Sequence, residues 1–161
     1  LYSAKVLPPY APGDEITPDS PDVIFNGWSR LKESAYGSFR VSEGASVEVL
    51  FRIESFNVNP QEHLNVEILM GSHQEQQVTI LVNGREVGSI VTPKQLSPPT
   101  TYTFPVDPAI INFVQNNKGE PNEIAFVTSE PASFSEIPEH RDTHTFGIGV
   151  WQIRLYTENS K

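Results

Sequence analysis

Short runs of alternating apolar and polar residues recur along this chain. Val47, Val49, Phe51 and Ile53 share one parity, against Glu48 and Arg52 on the other. Leu64, Val66, Ile68 and Met70 repeat the arrangement, as do Val78, Ile80 and Val82. Successive side chains of a strand point to opposite faces, so period-two alternation predicts half-buried antiparallel strands. Asn83-Gly84 separates residues 79–82 from 86–91, and both residues tolerate the positive φ of a type I′ hairpin turn.

The pattern changes between positions 107 and 119. Asp107 suits an N-cap, Pro108 suits the first helical position, and Ile110, Ile111 and Val114 fall on one helical face before Gly119. One short helix is predicted there. Strand character returns at 124–127 and 146–157, with a long polar loop over 129–144 between them. In the last strand Ile148 and Val150 share one parity, while Trp151, Ile153 and Leu155 share the other. A bulge or a close backbone approach near Gly149 would reconcile the two. Many short strands, frequent turns and one short helix predict an all-β domain: a two-sheet antiparallel β-sandwich of jelly-roll type.

Residues 7–22 break the alternation. Pro8, Pro9, Pro12, Pro18 and Pro21 stand among Gly13, Asp14, Glu15, Asp19 and Asp22. Prolines withhold ladder donors and carboxylates resist burial, so residues 1–22 read as an extended lead-in or linker rather than a packed element. Residues 23–161 then form a single sandwich domain, a size that supports one core. The chain starts at Leu1 without a signal peptide, which suggests a piece of something longer.

A formal charge of −9 without a basic stripe argues against nucleic acid as partner. The longest apolar runs fall far short of the ~20 residues of a membrane-spanning helix. Cysteine is absent, which removes disulfides, thiolate metal sites and cysteine nucleophiles. His140-Arg141-Asp142-Thr143-His144 is the densest polar cluster, but two histidines in an irregular loop do not make a closed metal site, so neither metal nor cofactor is expected. Ser29 lacks the Gly-x-Ser-x-Gly elbow, the acids of residues 14–22 lack the calcium-loop spacing, and no carboxylate pair is recognisable as a hydrolytic site.

The flat rings of Trp28, Tyr36, Phe39 and Trp151 remain. An exposed ring on a sandwich stacks on the apolar face of a sugar. Trp151 shares parity with Ile153 and Leu155 and is expected in the core. Trp28 follows the turn-prone Asn26-Gly27 and is expected at the surface, where it would border a shallow glycan-facing area with Arg30, Tyr36, Arg141 and His144.

The order of several landmarks carries a resemblance. Gly27-Trp28-Ser29 is followed by Tyr36-Gly37-Ser38-Phe39, Val82-Asn83-Gly84 with Val87-Gly88, Ser129-Glu130-Pro131-Ala132 and Phe146-Gly147-Ile148-Gly149-Val150. Over residues 25–157 this resembles the C-terminal β-sandwich domain of bacterial phosphoglycerol transferase I and related multi-pass envelope glycosyltransferases. The family's Trp-Gly-x-Trp-Ser is Tyr36-Gly37-Ser38-Phe39-Arg40 here, so both tryptophans become other aromatics. The resemblance implies a non-catalytic accessory domain in the periplasm, tethered to the inner membrane through a membrane-anchored parent protein. Envelope glycan or lipid-linked sugar is the implied ligand, and the isolated domain is expected to be a monomer. The alternative is a purely structural or protein-interaction sandwich without ligand.

Overall fold

The computed structural model describes residues 7–55, 63–72, 75–93, 98–115, 119–129 and 147–157. They form twelve strands: β1 (Ile24–Asn26), β2 (Lys32–Ser34), β3 (Gly37–Val41), β4 (Ser46–Phe51), β5 (Ile53–Glu54), β6 (Leu64–Ser72), β7 (Gln77–Val82), β8 (Arg85–Val91), β9 (Thr100–Val106), β10 (Phe113–Val114), β11 (Asn122–Ser129) and β12 (Ile148–Thr157). One five-stranded sheet runs β1-β4-β11-β7-β8 and the other β2-β3-β12-β6-β9; both are antiparallel. β5 and β10 add a small parallel pair.

The alternating apolar positions form the core. Val47, Val49 and Phe51 of β4, Val78, Ile80 and Val82 of β7, and Ile124 and Phe126 of β11 face Leu64, Val66, Ile68 and Met70 of β6 with Ile148, Val150, Ile153 and Leu155 of β12. Each such side chain contributes about 1.5–3 kcal/mol by leaving water, so a one-residue slip of any central strand is strongly opposed. The chain is thus the antiparallel β-sandwich that its alternation predicts.

The hairpin between β7 and β8 turns at Asn83 and Gly84, with φ of 50° and 84°. The expected helix is reduced to one 3-10 turn, Pro108–Ile110, with the Asp107 carboxylate accepting from the Ala109 N–H. Tertiary bonds override the local helical preference beyond it. The Asn112 N–H donates to Asn122 Oδ1, Asn122 Nδ2 donates to the Asn112 carbonyl, and Asn83 Nδ2 donates to the Ile110 carbonyl. The backbone is held extended, Ile111 enters the core, and β10 reaches β5.

The proline-rich stretch is corrected in one respect: its described part is extended, yet it packs on the sandwich. Leu7 and Ile16 are buried. Ile16 exchanges two backbone hydrogen bonds with Ile153, and Tyr10 brackets Arg52 and Glu54 in the same way. Spaced prolines leave intervening N–H groups free to pair, which permits this docking without a regular strand.

Candidate functional site

β12 contains a bulge where its sequence parity changes. Val150 pairs with Met70 and Gln152 with Leu69, which leaves Trp151 as the extra residue. This corrects the expectation that Trp151 joins Ile153 and Leu155 in the core: the bulge puts it out of phase with them, and its indole lies half-buried on the outer face of the second sheet. Phe39 of β3 stacks on it, with ring centroids 4.6 Å apart and planes 17° apart. Gly149 and Gly71 face each other across β12 and β6 beneath these rings. A Cβ at Gly149 would stand 2.9 Å from Trp151 Cζ3 and 3.4 Å from Phe39 Cδ2, so only glycine lets the rings lie this close to the sheet.

The turn between β2 and β3 orients the indole. Ser34 Oγ accepts from Trp151 Nε1 at 3.0 Å and from the Tyr36 N–H at 3.1 Å, and donates to the Gly37 carbonyl at 2.9 Å. One hydroxyl has one donor and two acceptor positions, so Ser34 is fully satisfied. Tyr36, anchored through it, is 56 % exposed. The outcome is a stacked Phe39–Trp151 pair on the outer face, with the turn that carries the exposed Tyr36 tied to the indole through Ser34.

Trp28 is not part of it. Its side chain is only 8 % exposed, set edge-on against Phe25 and Phe126, and its Nε1 donates to the Glu48 carbonyl. This corrects the expectation of a surface ring. The turn at Gly27 aims Trp28 inward, and Gly27 itself lies so close to Val47 that a Cβ would stand 2.9 Å from Val47 Cγ1. Arg30 is exposed. Arg141, His144 and His140 lie outside the described residues, as do positions 130–144 of the expected loop, whereas Ser129 ends β11, paired with Gln77. Among the described residues no three histidine, aspartate or glutamate side chains gather as a metal site, and no helix is long and apolar enough to cross a membrane. The stacked Phe39–Trp151 pair was hidden in the sequence because a bulge, not parity, places it; the Gly147 and Gly149 spacing was the available signal.

No known family model matches the chain, and no curated protein matches it in sequence. Solved structures share its fold. A β-1,3-glucan-binding CBM6 from Bacillus halodurans superposes with a TM-score of 0.54 at 11% identity, covering 92% of this chain and 99% of that one. CsCBM6-3 from Clostridium stercorarium, in complex with cellobiose, gives 0.50 at 10% identity, covering 92% and 97%. A glycoside hydrolase family 43 arabinoxylan arabinofuranohydrolase from Bacillus subtilis gives 0.52 at 6% identity, and this chain spans only 28% of it. At such identities the likeness is one of fold.

Proposed function

We propose that this domain is a non-catalytic glycan-binding module whose contact surface is the Tyr36–Phe39–Trp151 patch. The observation that carries the reading is the oriented Phe39–Trp151 stack on the outer face of a sheet, where most aromatic residues of a sandwich would be core. Solved structures of the same fold include a β-1,3-glucan-binding CBM6 and a CBM6 holding cellobiose, which supports a sugar ligand. Stacking with a few hydrogen bonds on an open surface corresponds to affinities of about millimolar to micromolar.

The setting belongs to the same proposal. The resemblance to the envelope transferase domain supports a periplasmic accessory role beside a membrane-anchored parent, with envelope glycan or lipid-linked sugar as ligand. Membrane spans or a sulfatase-like domain upstream of Leu1 in the parent gene would support it. The burial of Trp28 favours the alternative of a structural sandwich, because it removes the ring first expected at the surface.

Titration with a β-1,3-linked gluco-oligosaccharide at millimolar concentration, followed by NMR shifts, separates the two. The resonances of Ser34, Tyr36, Phe39 and Trp151 are expected to move together, and Trp151→Ala is expected to abolish the shifts. If envelope glucan, lipid-linked sugar fragments and this oligosaccharide all leave the patch unmoved, the structural alternative stands.

A further inference from the structure

Two Asn-Gly pairs punctuate the described chain, Asn26-Gly27 at the end of β1 and Asn83-Gly84 in the β7–β8 turn. An asparagine followed by glycine readily loses its side-chain amide, because glycine has no side chain to hinder attack by its own backbone nitrogen. That nitrogen adds to the asparagine Cγ and its proton passes to hydroxide. The bond from Cγ to the amide nitrogen breaks, ammonia leaves and a five-membered succinimide closes. Water then opens either carbonyl of the ring and leaves aspartate or isoaspartate, so one water is taken up for each ammonia released. The attack needs an amide that can rotate and a glycine N–H that solvent reaches.

The two pairs meet these needs differently. Asn83 is half-buried, and its side chain is held at both ends: Nδ2 donates to the Ile110 carbonyl at 2.6 Å and to Asn122 Oδ1 at 3.0 Å, and Oδ1 accepts from the Glu123 N–H at 2.8 Å. Turning Cγ toward the Gly84 nitrogen breaks all three bonds. Asn26 and Gly27 are both exposed. Asn26 Nδ2 makes one long contact, 3.4 Å to Glu48 Oε1, and the Gly27 N–H makes no hydrogen bond among the described residues. β1 is only three residues long and lies at the edge of the first sheet, where local opening costs little.

We propose that Asn26-Gly27 is a deamidation site of the folded protein, whereas the fold shields Asn83-Gly84. The reaction has a structural consequence. Residue 26 stands opposite Glu48 in the ladder, so the product replaces a donor facing that carboxylate with a second negative charge. Isoaspartate also routes the backbone through Cβ and Cγ, which inserts one methylene just before Gly27, whose φ of 86° aims Trp28 into the core. Both changes loosen β1 from β4 and draw Trp28 from its place between Phe25 and Phe126.

The test is a peptide map of the full chain aged in mildly alkaline buffer well below its melting temperature, with a parallel sample unfolded in urea. Mass spectrometry follows conversion of each asparagine, and chromatography separates the aspartate and isoaspartate peptides. In the folded chain Asn26 is expected to convert to both products, with Asn83 slower by at least about tenfold, the equivalent of one or two hydrogen bonds; in urea the two are expected to convert at similar rates. The aged chain is expected to melt lower than fresh chain, with tryptophan emission moved to longer wavelength. Asn26→Gln, whose longer side chain closes a ring far more slowly, is expected to hold its melting temperature through the same ageing. Asn83 converting as fast as Asn26 in the folded chain, or Asn26 staying intact there while it converts in urea, overturns the inference. A melting temperature that holds after Asn26 has converted overturns the structural consequence. The map needs no variant, and its outcome is independent of whether the domain binds glycan.

Discussion

The two tryptophans have exchanged the places their local sequence suggests, and their stabilities should differ accordingly. Trp28 fills a pocket between Phe25 and Phe126, so Trp28→Ala is expected to cost about 3–5 kcal/mol, as large-to-small changes of core aromatics do. Trp151 forms one stacked pair and one hydrogen bond at the surface, so Trp151→Ala is expected to cost about 1 kcal/mol. Urea midpoints of the two variants check the ordering, and equal losses would place both rings in the core. A further residue-scale effect lies on the outer face of the first sheet. The hydrogen bond with Glu48, assisted by burial and by the Glu48 charge, pushes the Glu123 carboxyl above its usual range. A carboxyl with a raised folded-state pKa favours folding while protonated, and that contribution is lost as pH rises through its folded value. Stability from this pair is therefore present below the ordinary carboxyl range and lost toward neutrality. Glu123→Gln, uncharged throughout, is expected to flatten that part of the dependence and raise the melting temperature at pH 7. Thermal melts of both proteins at several pH values show whether it does.

At the scale of elements, the β7–β8 hairpin was legible because an in-phase alternation meets a two-residue turn that needs positive φ. A Cβ built at Gly84 meets nothing within 4 Å, so any loss on Gly84→Val comes from its φ of 84° rather than from a clash. That loss is expected to be on the order of 1 kcal/mol or more, read as a lowered urea midpoint. An unchanged midpoint would mean that the turn opens freely. Asn83 adds a role that local sequence does not show. Its side chain donates to the Ile110 carbonyl and to Asn122 Oδ1, and accepts from the Glu123 N–H. The turn is thereby tied to the segment expected to be helical, and the same contacts hold that segment extended. The helix signal at 107–119 was correct at its cap and first proline. It stopped after three residues because partners far away in sequence captured the backbone.

For the molecule as a whole, sheet order makes the last described strand a keystone. β12 lies between β3 and β6, and the N-terminal segment joins its edge at Ile16. Deleting residues 1–22 would remove Leu7 and Ile16 from the core, and is expected to cost about 3–6 kcal/mol at the usual value of a buried aliphatic side chain. Thermal melts of the shortened chain decide this, since a melting temperature equal to that of the full chain would make the segment a mere tether. The sequence by itself determined the strands, their buried faces, the Asn83-Gly84 turn and the sandwich class, because side-chain alternation is a local property that burial amplifies at every second residue. Only the tertiary structure decided that Trp28 is core, that Trp151 is raised onto the outer face, that the proline-rich stretch docks and that the helix is cut short. Each of these depends on where a ladder slips or which distant group meets a backbone N–H, and neither is written in the spacing of apolar residues.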